Sequence, residues 1–185
     1  MPSPFTPSTV PGSGSGGLTL LGSQVATGTL TTLDSGAAGF GTTFSMLYIV
    51  MLLRCDTVAF TDTIRLRFNA DATGTAYFTQ EVRAQNGAAS GPSSQASGFN
   101  LPIMAASSGA GFFTGITCQV PAYGNAQRKS IVGVLGYTTG AIGGTTLMAD
   151  AFSGWWDNTA AVTRVQAVMP ANNFITDSAL YVYGI

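Results

Sequence analysis

The chain has 185 residues, a formal net charge of −1, and 45% hydrophobic but only 8% charged residues. That charged fraction is far below the roughly 25% of an average soluble domain. The length suits one domain with a substantial core, and the scattered basic residues exclude a nucleic-acid-binding stripe. The longest apolar run, Met46 to Leu53, is much shorter than the roughly 18 residues of a membrane-spanning helix, so we expect no membrane segment.

The surface composition predicts an all-β protein. Lys129 is the one lysine and Glu81 the one glutamate, whereas helix surfaces use both residue types freely. A surface so poor in charge promotes association of free monomers. Either Ser, Thr, Asn and Gln side chains keep the protein soluble, or much of the surface is buried in an oligomer. We favour the oligomer because uncharged apolar surface is typical of interfaces.

The chain begins with a segment rich in Pro, Ser and Gly, residues 1–17, which cannot form a packed core alone. We predict an extended N-terminal arm that is either a flexible terminus or docks on a neighbouring subunit through Phe5 and Val10. Met1 is followed by prolines rather than a basic-then-apolar export signal, so we expect synthesis in the cytoplasm without export. Residues 18–185 are predicted to form one domain.

Ten strands and no helix are predicted in that domain. Residues 44–53 are nearly all apolar and predict a central strand. Short strands joined by turns are typical of an antiparallel β-sandwich, and we predict a jelly-roll-like arrangement. The predicted strands are residues 18–21, 25–33, 44–53, 64–69, 78–83, 112–120, 128–137, 152–156, 161–168 and 178–184.

Two details of the strand pattern make specific predictions. Apolar and polar residues alternate in 64–69 and again in 78–83, and the intervening residues 69–74 contain turn formers. This predicts a hairpin in which Arg65 or Arg67 faces Glu81. The Ala-, Ser- and Gly-rich residues 85–115 predict a long functional or mobile loop.

The chemistry available to the chain is limited. It contains no histidine, which excludes Ser-His-Asp and Cys-His nucleophile systems and removes the commonest metal ligand. It contains no phosphate-binding loop motif. Lys129 and Ser130 are adjacent, so their side chains diverge on a strand and do not form a dyad. Cys55 and Cys118 are interpreted as small buried hydrophobes, with a disulfide left open.

Two weaker signals in the sequence have simpler explanations. The segment Asn69-x-Asp71-x-Thr73-Gly74 resembles the start of a calcium loop, but its twelfth position is Gln80 rather than Glu, so we favour a turn. Asp150 and Asp157 flank two tryptophans, as in sugar-cleaving sites. Turn chemistry explains Asp157 equally well. We therefore predict no enzyme activity, no metal and no cofactor.

Trp155 and Trp156 alternate in direction on a strand. We expect one tryptophan in the core and the other at a subunit contact. The alternative is that Trp155 and Trp156 contribute to the binding of a host glycan.

The C-terminal residues carry a family resemblance. Residues 156–165 follow the pattern "W-x-x-T-x-A-V-T-x-V", and Asn173-Phe174 precede a terminal segment ending Tyr183-Gly184-Ile185. Upstream, Arg65-Leu66-Arg67-Phe68-Asn69-Ala70-Asp71 precedes Tyr77-Phe78. This ending and the upstream block resemble a group of small tailed-bacteriophage virion proteins. The chain departs from them at Thr176-Asp177-Ser178, where that family has a Gly-Ser pair.

The resemblance implies a non-enzymatic β-sandwich displayed on a virion. We expect a capsid decoration or cement protein that stabilises capsomer junctions. Its partners would be the major capsid protein and two further copies of itself in a homotrimer, and the alternative is a tail or fibre-tip protein that binds a host glycan. The last strand is apolar on both faces, so it is either central in a sheet or covered by another subunit. The expected interface residues are Phe5, Val10, Leu180, Tyr181, Tyr183 and Ile185.

Overall fold

A computed structural model describes residues 17–85, 88–109, 111–138 and 147–185. The predicted N-terminal arm, with Phe5 and Val10, lies outside the described residues apart from Gly17. The described part of the chain contains strands and no helix, and hence no helix long and apolar enough to cross a membrane. The strands are β1 (Thr19–Val25), β2 (Thr32–Asp34), β3 (Met46–Leu53), β4 (Thr61–Phe68), β5 (Tyr77–Gln85), β6 (Ala88–Ser90), β7 (Ser93–Ala96), β8 (Phe99–Met104), β9 (Thr114–Pro121), β10 (Lys129–Thr138), β11 (Leu147–Trp156), β12 (Val165–Val168) and β13 (Ala179–Gly184).

The strands form two antiparallel sheets that pack as a β-sandwich, as predicted. The large sheet has the order β1-β13-β3-β9-β10-β11-β5-β6, with β7 also paired to β5, and the small sheet has the order β2-β12-β4-β8. The quartets β1-β13-β3-β9 and β2-β12-β4-β8 reproduce the strand order of a jelly roll. The predicted central strand is β3, and the terminal strand β13 lies between β1 and β3.

Two insertions lengthen the large sheet beyond the jelly roll. The hairpin β10–β11 pairs with β9 on one side and with β5 on the other. Strands β6 and β7 then pair along β5. We call β10, β11, β5, β6 and β7 the extension; it doubles the width of a sheet that would otherwise end at β9.

The core lies between the sheets and is filled by alternate residues of each strand. Ile49 and Met51 on β3 and Leu66 and Phe68 on β4 belong to this core, and all four are almost completely buried. Trp156 is 1% exposed and is stacked on Tyr77. Cys55 and Cys118 are buried and unbridged, which confirms their interpretation as small core residues.

The predicted hairpin between residues 64–69 and 78–83 is wrong. Strand β4 pairs with β12 and β8 in the small sheet, whereas β5 pairs with β11, β6 and β7 in the large sheet. The intervening segment crosses between the sheets, and Asn69 and Ala70 take φ values of 53° and 58° where the chain turns. Arg65 and Arg67 therefore do not face Glu81.

The predicted long loop at residues 85–115 is also wrong for most of its length. It contains β6, β7 and the buried edge strand β8. Its remaining part wraps around Arg54, a 6% exposed side chain on the chain that leaves β3. The guanidinium of Arg54 donates hydrogen bonds to four backbone carbonyls, those of Ala106, Ser108, Gly109 and Phe112, at 2.6–3.2 Å.

Candidate functional site

Within its described strands, the large sheet carries no charged side chain on its outward side. The Asp, Glu, Lys and Arg residues in its strands are Glu81, Arg83, Lys129 and Asp150, and the alternation of each strand turns all four inward. We call the outward side the uncharged face. Across six strands, cross-strand neighbours form one row of Tyr181, Val50, Thr117, Val134, Ala151 and Val82. A second row consists of Tyr183, Tyr48, Gln119, Val132, Ser153 and Gln80.

Large apolar side chains on this face are open to solvent in the protomer. Val82 is 61% exposed, Val134 57% and Val132 53%. A depression of about 270 Å³ lies between Tyr48 and Ala151 and is large enough to receive a side chain from another molecule. A third outward row consists of Leu52, Gly115, Gly136, Ala149 and Ala84. Six strands spaced about 4.8 Å apart, with these three rows, span roughly 600 Å² in projection. That is comparable to the roughly 800 Å² which each partner buries in a standard protein interface.

The outward side of the small sheet differs in composition. Arg65 and Arg67 on β4 point outward beside Gln166 of β12. Asp34 on β2 accepts hydrogen bonds from Gln166 and from Arg164, the residue directly before β12. This side therefore carries the mixed charge expected of a solvated protein surface.

The two tryptophans lie on opposite sides of the large sheet. Trp156 is a core residue whose indole N–H donates to Asp71 at 2.8 Å. Trp155 is 49% exposed on the uncharged face and is stacked on Phe78 with ring centroids 4.5 Å apart. One tryptophan is thus in the core, as expected, and Trp156 is not accessible to a glycan.

The predicted C-terminal interface residues are divided between the two sides of β13. Leu180 is completely buried and is a core residue of the protomer. Tyr181 and Tyr183 are partly exposed on the uncharged face, and Ile185 is 37% exposed at its margin. Three of the four described residues therefore remain available for contact with another molecule.

A buried polar cluster occupies the inward side of the extension. Arg83 donates from Nε to Asp150 at 2.9 Å and from a terminal nitrogen to Glu81 at 2.7 Å. Burial raises the pKa of Glu81, and Arg83 offsets part of that effect. Burial, together with the negative charge of Asp150, raises the pKa of Tyr137 to about 12. The cluster was missed in the sequence because alternation in β5 favours burial of Phe78 and Val82, and the structure buries the opposite side of the strand.

Lys129 is the other buried charge of the large sheet. It is 1% exposed, and its ammonium group donates to the carbonyls of Asn125, Gln127 and Thr159. Burial lowers its pKa. Ser130 points to the opposite side, so the two residues do not form a dyad, as predicted.

The residues considered for catalysis or calcium binding have structural roles. Asp150 and Asp157 are seven positions apart along β11 and its continuation, or roughly 20 Å at strand rise, which is too far for a glycosidase pair. Asn69 accepts hydrogen bonds from the backbone of Thr163 and Arg164 and thereby fixes the crossing segment. Within the described ranges, no group of three or more His, Cys, Asp or Glu side chains is arranged to hold a metal ion.

Fold and surface together define a jelly-roll β-sandwich with a widened large sheet, one uncharged outer face and one charged outer face. Comparison of the chain with protein-family models, curated proteins and solved structures gives no match. Its function is therefore inferred from the two faces and from the polar cluster.

Proposed function

We propose that the chain is a non-enzymatic structural protein of a bacteriophage virion, most directly a capsid decoration or cement protein. The observation that carries the proposal is the uncharged face, which is large and presents exposed apolar side chains in the protomer. A cement protein stabilises capsomer junctions by burying area across them, and this action requires shape and apolar surface rather than a catalytic group.

The contrast between the two outer faces supports burial of the uncharged one. Exposed apolar patches of several hundred Å² are rare on monomers and are characteristic of protein contacts. The small sheet carries charged residues on its outward side, so the low charge content of the chain is not spread evenly over its surface. The shortage of charge in this protein is concentrated on the side that we assign to assembly.

The proposed partners are further copies of the chain and the major capsid protein. An uncharged sheet face can pack against another copy without charge repulsion, and the sequence resemblance favours a homotrimer. Tyr181, Tyr183 and Ile185 extend this contact toward the C terminus. Phe5 and Val10 would add contacts if the arm docks on a neighbour.

A second candidate function is favoured by the stack of Trp155 on Phe78. One exposed indole held flat by a second ring provides an aromatic platform of the kind that binds sugar rings. In that case the protein would be a tail or fibre-tip component that recognises a host glycan. Loss of binding on a glycan array in a Trp155→Ala variant would support this candidate.

Light scattering coupled to size-exclusion chromatography tests the role of the uncharged face. Val134→Lys places a charge at its centre, and we expect an oligomer to dissociate to monomers because the buried ammonium group lacks a partner. The matched control, Thr32→Lys, places the same charge on the outward side of the small sheet and should leave the oligomer intact. A wild-type protein that is monomeric at high concentration would contradict self-association.

The copy number of the chain in purified virions separates the two candidate functions. A ratio near one, or one to a few, relative to the major capsid protein indicates a shell decoration. A ratio of a few per hundred indicates a tail or fibre component. Absence of the chain from virions would reject both functions.

A further inference from the structure

A cavity of about 180 Å³ opens where the extension meets the small sheet. Its walls come from β5 and the region of β7 on one side and from β4 and β8 on the other. It has room for about six water molecules, given the roughly 30 Å³ that each occupies in the liquid. The cavity lies on the inward side of β5, so it is separate from the uncharged face.

The β5 wall is formed by Thr79, Glu81 and Arg83. Arg83 is fixed between Glu81 and Asp150 by the two ion pairs, so the guanidinium and the Glu81 carboxylate have defined positions. Thr79 is 4% exposed, and its hydroxyl oxygen has no hydrogen-bond partner among the described residues. Buried hydroxyl groups are nearly always paired, so the unpaired Thr79 hydroxyl in the cavity wall retains hydrogen-bonding capacity for a molecule that enters the cavity.

The remaining lining residues add a neutral polar edge and an apolar surface. Asn100 of β8 donates to the Ser94 hydroxyl at 3.3 Å, and both side chains line the cavity. Pro92 and Pro102 contribute rigid apolar surface beside them. Donors and acceptors are therefore distributed around the cavity, with carbon surface between them.

We propose that this cavity binds a single neutral, hydroxyl-rich ring, such as one sugar unit of a glycan. Hydroxyl groups both donate and accept, so they suit a wall that presents a carboxylate, a guanidinium, an amide and an unpaired hydroxyl together. The C–H face of the ring would pack on the two prolines. The ligand would provide a partner for the Thr79 hydroxyl.

Charge argues against other ligand classes. Glu81, Asp150 and Arg83 sum to one negative charge, which disfavours an anionic ligand. The polar lining of the cavity disfavours a purely apolar ligand. Only one carboxylate, that of Glu81, lines the cavity, and Arg83 already occupies one of its oxygens, so a divalent cation would lack ligands.

Amide-resolved NMR of the full chain tests the inference with methyl glycosides of glucose, galactose, mannose, N-acetylglucosamine and rhamnose at millimolar concentration. We expect at least one glycoside to shift the amide signals of Thr79, Ser94 and Asn100. Thr79→Val should weaken that binding about tenfold, because it removes a hydroxyl while keeping the shape of the side chain. Asn100→Ala should also weaken it.

The controls separate loss of binding from loss of structure. Thr79→Val replaces an unpaired buried hydroxyl, so its melting temperature should equal or exceed that of the wild type. Thr117→Val makes the same change on the uncharged face and should bind like the wild type. The inference is overturned if no glycoside shifts these signals, if Thr79→Val binds normally, or if the shifts map to Trp155 instead. It does not rest on the proposed function, because Val134 does not line the cavity and Val134→Lys therefore tests assembly separately.

Discussion

The outward sides of the two sheets differ in their content of charged side chains. The small sheet presents Arg65, Arg67 and Asp34 among polar neighbours, whereas the large sheet presents Val, Tyr, Ala and Thr and turns its four charged residues inward. A solvated sheet normally has the reverse arrangement, with charges outward and apolar residues inward. The difference supports the proposal that the outward side of the large sheet is a contact surface, and it places the charged side chains of this sheet in the interior of the protomer.

Removing an inward charge is expected to have the largest effect on the stability of the protomer. Arg83→Met leaves Glu81 and Asp150 buried without their shared cation, at a cost of about 3–5 kcal/mol. The control Arg128→Met breaks the exposed pair with Asp157 and should cost less than about 1 kcal/mol. Urea unfolding measures both free energies, and equal losses in the two variants would contradict a special role of the inward charges.

Substitutions at the two adjacent tryptophans compare the inner and outer sides of one strand. Trp156→Phe leaves a void beside Tyr77 and removes the donor to Asp71, so we expect a loss of about 2 kcal/mol in the free energy of unfolding. Trp155→Phe changes an exposed ring and should cost less than about 0.5 kcal/mol in the monomer. Thermal unfolding at low protein concentration measures the difference, which would vanish if Trp156 were not a core residue.

The pH dependence of stability provides the smallest contrast. Burial raises the pKa of Glu81 in the folded protein above its ordinary value of 4.5. Stability therefore falls as the pH rises from 4.5 toward the folded-state pKa, because Glu81 ionises less readily in the folded than in the unfolded state. Burial also acts on Asp34, but hydrogen bonds from Arg164, Gly36 and Gln166 outweigh it and lower the pKa of Asp34 below 3.8. The ionised form of Asp34 therefore adds stability that is lost as the pH falls through its folded-state pKa.

The variants Glu81→Gln and Asp34→Asn should consequently respond in opposite directions. Relative to the wild type, the free energy of unfolding of Glu81→Gln rises from acidic to neutral pH, while that of Asp34→Asn falls. Urea titrations at a series of pH values provide the measurement. Parallel curves for the two variants would show that the inward and outward carboxylates have the same environment.

Much of the fold follows from local pattern. The scarcity of Lys and Glu excludes helical surfaces, and the unbroken apolar run at 44–53 indicates a central strand, which is β3, paired on both edges in the large sheet. The same reasoning indicated a jelly-roll-like sandwich and one buried tryptophan. The candidate sites were harder to predict, because Leu180 and Tyr181 are adjacent on an apolar strand, and its sequence does not distinguish the core side from the outer side.

The sequence by itself determined the all-β class, the sandwich, the central position of the apolar strand and the shortage of charge. Only the tertiary structure decided that β4 and β5 belong to different sheets and that β5 buries Glu81 and Arg83 rather than Phe78 and Val82. The physical reason is that alternation specifies two sides of a strand but not which side meets the core. In β5, Arg83 pairs with Glu81 of the same strand, but its second partner, Asp150, lies on β11 and is brought beside Arg83 only by long-range pairing.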